Sequence, residues 1–123
     1  MSYVTDRKRV EGLGSAKSGT HHFWSMTISS MALLVLTPLF VFTFGPMLGE
    51  SHADVLAYMS RPFPAIVTAL MLIVSFYHFR LGVQTLIEDY VQGLTRKITI
   101  IIMTCVSYGL AAIGLFAIAK IAL

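Results

Sequence analysis

Charge is what this sequence has least of. Only 12% of its 123 residues are Asp, Glu, Lys or Arg, against roughly a quarter in a soluble domain. Three stretches carry none at all: Ser18 to Gly49, Pro62 to Phe79 and Ile98 to Ala119. A water-soluble fold needs polar surface on every element, so that class is excluded. Cysteine is nearly absent too. The single Cys105 rules out a disulfide framework within the chain. Lying in the third apolar run, it reads as a small buried hydrophobe rather than a redox centre. There is no internal repeat, no low-complexity tract and no polar stretch long enough to fold as a separate domain.

What is there is apolar. Hydrophobic residues make up 56% of the chain and the mean hydropathy is +0.77. Each uncharged stretch is long enough for one membrane-spanning helix of about 20 residues. The sequence therefore predicts an all-α integral membrane protein with three transmembrane helices, at about 23–44, 64–88 and 98–121. A polar segment, 1–22, precedes them. This segment, which includes "EGLGSAKSGTHH", offers no core of its own and is expected to order only against a partner. Ser51-His52-Ala53 loosely fits a signal-cleavage pattern, but Phe23 to Phe44 exceeds the roughly 7 to 15 residues of a signal-peptide apolar core. A retained span is expected. Trp24 stands at its headgroup edge, and Pro38 is expected to bend it, as membrane helices tolerate when neighbours satisfy the freed carbonyl.

The few charges give an orientation. Arg7, Lys8, Arg9 and Lys17 precede the first span, while Arg80, Arg96 and Lys97 flank the second connection. The first connection, Gly45 to Arg61, holds only Arg61, beside Glu50 and Asp54. Basic residues favour the cytoplasmic side, so the N-terminus and the second connection are expected inside. The net charge of +3 and the pI of 9.3 do not indicate nucleic acid, because the basic residues are dispersed along membrane borders. Nothing in the first connection points to chemistry. Its apolar stretch Val55 to Met59 is expected at the interface.

In the second span the non-aliphatic residues are ordered. Thr68, Met71, Ser75, His78, Gly82, Thr85 and Asp89 alternate at spacings of three and four, forming one stripe about 100° wide on a helix. Such a stripe faces protein rather than lipid. Ser75 and Gly82, one turn either side of His78, leave room for something flat and bulky, as a haem ring is. Two readings of His78 stand: a haem ligand, or a histidine that only hydrogen-bonds across helices. If the span is centred near Ile73, His78 lies about 7 Å toward the cytoplasmic side. On the same scale His21 and His22 are about 8 Å further out, and His52 is on the opposite side. A bis-histidine haem needs its two ring nitrogens about 4 Å apart, so a second axial ligand is expected from another subunit.

Asp89 lies about 16 Å beyond His78 on the same face, and Tyr90 projects about 100° round from it. A phenol beside a carboxylate at the membrane edge can donate to a quinone carbonyl, or it can serve as an interfacial anchor. Arg80 is expected to snorkel to the cytoplasmic headgroups. In the third span Thr104, Ser107, Ala111 and Gly114 form a stripe of small residues, read as a packing face.

The segment "HFRLGVQTLIEDYV", His78 to Val91, closely resembles the H-x-x-x-G-x-x-x-x-x-x-D-Y pattern of the hydrophobic membrane anchor subunits of succinate dehydrogenase, respiratory complex II. "SGTHHFW", Ser18 to Trp24, looks like the opening of the first helix in that family. The resemblance implies three helices packed with a second membrane subunit around haem b, in a bacterial inner membrane. It implies His78 as the axial ligand from this chain, the other coming from the cytochrome b556 subunit. It implies Tyr90 on a ubiquinone carbonyl with Asp89 supporting it, and His21 near a haem propionate. Some relatives carry an arginine near the start of the first helix for the propionates, and here "SMTISS" has none. Flavoprotein and iron–sulfur subunits would oxidise succinate, and this chain would dock them. Two other readings remain open: the anchor of another quinone-reactive membrane cytochrome, such as a fumarate reductase, and a non-redox structural subunit.

Overall fold

A computed structural model of the chain describes residues 3–12, 14 and 19–123. Its elements are five helices and one 3₁₀ turn: α1 (Asp6–Glu11), α2 (Gly19–Phe44), the 3₁₀ turn Gly45–Met47, α3 (His52–Met59), α4 (Pro62–Tyr90) and α5 (Gly93–Ala122). The described residues contain no strand. α2, α4 and α5 are each long and apolar enough to cross a membrane. The 29 residues of α4 rise about 44 Å, more than the roughly 30 Å hydrocarbon core, so its ends reach into the headgroups.

Within the N-terminal segment α1 carries local signals of its own: Thr5 caps it by accepting from the backbone N–H of Lys8, Asp6 lies in its first turn, and Gly12 at φ +54 ends it. An exposed ion pair, Arg7 to Glu11 at 2.9 Å, spans one turn, and no residue of α1 is buried.

α2 begins at Gly19 and therefore includes His21 and His22, before the expected start at Phe23. It continues through Pro38 to Phe44. Its hydroxyl side chains return to backbone carbonyls one turn earlier: Thr27 to Phe23, Ser30 to Met26 and Thr43 to Leu39, at 3.0, 2.8 and 2.7 Å. This removes the penalty of unpaired hydroxyls in an apolar surrounding. In the first connection Ser51 caps α3 by accepting from the N–H of Asp54. α3 then packs on α4 and α5, burying Met59, while Leu56 and Ala57 of the same apolar stretch stay exposed.

Pro62 and Pro64 fit the first turn of α4, where no intrahelical donor is required. At the other end Val91 and Gln92 link α4 directly to α5, and Gly93 has φ +67. Only glycine reaches that backbone region without steric penalty, which permits so short a reversal. Arg96 and Lys97, expected in a loop, instead occupy the first turns of α5.

α4 is the central helix, packing against α2 on one side and α5 on another. The small-residue stripe of α5 does face it. Ser107 is 0% exposed, its hydroxyl donating to Met103 O at 2.7 Å, and a Cβ added at Gly114 would come within 3.0 Å of Leu72 Cδ1. Cys105 overturns its expectation: it is exposed, because it sits about 200° round the helix from Ser107 and turns away from α4. Buried apolar residues are few, namely Met59, Ala65, Val67, Leu81 and Ile87. Phe42, Ile113 and Phe116 stay exposed. Lipid is as apolar as these side chains, so close backbone approach rather than hydrophobic burial holds such helices together.

Candidate functional site

The site is built where α2 crosses α4. His78 comes from α4 and Ser29 from α2, and their side chains meet, with Ser29 Oγ 2.9 Å from His78 Nδ1. Ser29 is 4% exposed and also contacts Ser25 O at 2.8 Å and Met26 O at 2.9 Å. His78 itself is half-buried, and Nδ1 to Ser29 is its one side-chain hydrogen bond among the described residues. Its Nε2 has no hydrogen-bond partner among the described residues. No group of three His, Cys, Asp or Glu side chains able to hold a metal comes together among the described residues.

The flanks of His78 differ from each other. A Cβ at Gly82 would lie 3.9 Å from Met26 Cε, so that flank faces this chain's own α2, and the space expected there for a flat ring is shared with Met26. Ser75, one turn the other way, lines an apolar cleft of about 290 Å³ with Phe76, Phe79 and Leu110. Further along the stripe Thr68 Oγ1 is buried with no partner among the described residues. A larger cleft of about 490 Å³, lined by Leu56, Ala117, Lys120 and Ile121, lies at the opposite end of the bundle.

The other candidates share one end of the bundle with His78 but do not touch it. His21 is exposed near the start of α2, about 12 Å along that helix from Ser29. Its neighbour His22 turns inward, with Nε2 buried and unpartnered among the described residues. Asp89 and Tyr90 end α4, about 16 and 18 Å past His78. Both are exposed, Tyr90 at 82%. They form no hydrogen bond with each other, since adjacent helical residues point in different directions. α2 and α4 run antiparallel, so His21, Asp89 and Tyr90 all belong to the end that holds the α4–α5 turn.

Two features escaped the sequence reading. Ser29 was visible only as part of "SMTISS", and its partner lies 49 positions away, so no local spacing reveals it. The second is a polar ladder on another face of α4, in which Arg80 donates to Gln84 Oε1 at 3.4 Å and Gln84 donates to Glu88 Oε1 at 2.9 Å. These i,i+4 links run along α4 from the half-buried Arg80, whose Nε is buried with no partner among the described residues.

Comparison with known proteins places the whole chain in a family. The succinate dehydrogenase/fumarate reductase transmembrane subunit family matches residues 1–116. A succinate dehydrogenase hydrophobic membrane anchor subunit from Paracoccus denitrificans is 47% identical over the whole chain and 95% of its own length. Subunits of the same description from Rickettsia bellii and Rickettsia conorii are 34% and 28% identical, covering 76% and 77% of this chain and 75% and 76% of theirs. No solved structure matches significantly. With three apolar helices, a fold without strands among its described residues, a family match over residues 1–116 and a relative over its full length, the chain belongs to the succinate dehydrogenase/fumarate reductase transmembrane subunit family, as a hydrophobic membrane anchor of the succinate dehydrogenase kind.

Proposed function

We propose that this chain anchors a succinate:ubiquinone oxidoreductase in a bacterial inner membrane, where it docks the flavoprotein and iron–sulfur subunits and supplies His78 as one axial ligand of a haem b. The reading is carried by one observation: a half-buried imidazole within a spanning helix has Nδ1 engaged by a buried hydroxyl and Nε2 without a partner among the described residues. The residues fit a haem in this sense, as a single imidazole nitrogen free to ligate on a helix face. The second axial ligand belongs to the cytochrome b556 subunit. Haem bound there supplies a one-electron relay. His21, exposed at the start of α2, would approach a propionate.

Tyr90 donates its phenolic proton to a ubiquinone carbonyl in this reading, and Asp89 supports the site as a nearby acceptor. Their separation of about 18 Å from His78 along α4 makes the quinone site distinct from the haem-ligand position. The exposure of both side chains leaves them available to partner subunits. Tyr90 stands at the end with the basic residues, which the positive-inside bias puts in the cytoplasm, the side from which an iron–sulfur subunit docks.

His78→Ala tests the assignment. Loss of a strong-field nitrogen abolishes or alters the low-spin b-type spectrum of the purified complex. A fully assembled variant with an unchanged low-spin spectrum would refute it.

A further inference from the structure

We propose that Ser29 is the positioning residue for His78: its hydroxyl oxygen accepts the Nδ1 proton, fixing the tautomer and the rotation of the ring and leaving the Nε2 lone pair for the iron. The proposal rests on the reading of His78 as an axial ligand. It follows from counting protons around one oxygen. Ser29 Oγ has three polar neighbours, Ser25 O at 2.8 Å, Met26 O at 2.9 Å and His78 Nδ1 at 2.9 Å. A serine hydroxyl has one proton to donate and two lone pairs, and both carbonyls can only accept. If Nδ1 were unprotonated, three acceptors would crowd around a single proton. With the proton on Nδ1 the hydroxyl shares its own proton between the two carbonyls of its helix, as three-centre bonds there commonly do, and accepts from the imidazole.

A ring with its single proton on Nδ1 carries its lone pair on Nε2, the nitrogen without a partner among the described residues. Burial makes the arrangement exclusive. Ser29 is only 4% exposed, so water does not readily stand in for its oxygen. The bond also joins two helices, so the packing of α2 on α4 sets the angle of the ring about its Cβ–Cγ axis. A hydrogen bond accepted from the distal nitrogen raises the donor strength of a metal-bound imidazole. A stronger donor favours the ferric over the ferrous state, so Ser29 holds the haem midpoint potential down.

Three variants of the whole membrane complex test this, with potentiometry and ferric EPR as readouts. Ser29→Ala is expected to keep a low-spin b-type haem but to raise its midpoint potential. A tenfold loss of ferric preference corresponds to about 59 mV for one electron. The largest g value shifts as the imidazole plane turns, and haem retention weakens on the order of tenfold. Ser29→Thr keeps the hydroxyl and is expected to return both signals toward the parent. An unchanged potential and g value in Ser29→Ala would overturn the proposal, as would a Ser29→Thr complex that behaves like Ser29→Ala. Complete haem loss in Ser29→Ala that Ser29→Thr repairs supports it, and loss in both variants overturns it. His78→Ala separates the two claims. If that variant loses the low-spin signal while Ser29→Ala changes nothing, the ligand reading stands and the positioning role falls. If His78→Ala keeps the signal, the ligand reading itself fails.

Discussion

Replacing Tyr90 by phenylalanine distinguishes a quinone donor from an interfacial anchor, because the substitution removes one oxygen and nothing else. Tyr90 is 82% exposed at the last residue of α4, and its hydroxyl takes part in no hydrogen bond among the described residues. Its loss leaves no buried group unpaired, so the effect on folding stays within about 0.5 kcal/mol, as for most surface changes. The ring, its contacts and most of its headgroup preference persist. Rate is a different matter. Removing a preorganised donor to an oxygen that gains charge lowers turnover by about 10² to 10³. A phenol this accessible is less rigidly held, so we expect a fall of at least about tenfold, equivalent to roughly 1.4 kcal/mol of barrier. The assay pairs succinate-to-ubiquinone electron transfer with succinate oxidation by a soluble artificial acceptor that bypasses the membrane site. The first is expected to drop and the second to persist. Retention of both activities would refute the donor role and leave Tyr90 as an anchor.

Two further outcomes follow from the packing. Gly114→Ala is expected to be nearly neutral, since the Cδ1 of Leu72, 3.0 Å from the added Cβ, belongs to the mobile end of a side chain. Gly114→Leu forces α5 off α4 and is expected to cost about 1 to 3 kcal/mol, read as a lower unfolding temperature of the detergent-solubilised complex; equal stability of both variants would contradict the close approach. Expressed without a second haem-bearing membrane subunit, the chain is expected to be degraded or to lack haem, because the open part of the α4 stripe needs a protein neighbour. A stable, haem-loaded homo-oligomer on a native gel would overturn this.

The spans were legible because a membrane imposes a simple rule, an apolar run of sufficient length, and the chain places its charges between those runs. Boundaries were less so. α5 starts at Gly93 rather than near Ile98, since Arg96 and Lys97 can occupy helical turns that project beyond the hydrocarbon, and hydropathy measures the bilayer rather than the helix. α1 carried its own signals, Thr5 before Asp6 and Gly12 after Glu11, but they are overlooked when a segment is judged only by its lack of a core. The face of α4 that bears His78 follows from spacings of three and four, a property of one helix. What meets that face is a property of two. Ser29 is a hydroxyl that its own helix already engages through Ser25 O and Met26 O. That very saturation turns it into an acceptor toward the imidazole of the neighbouring helix, so the residue that periodicity ranks as ordinary becomes the one that selects the tautomer of His78.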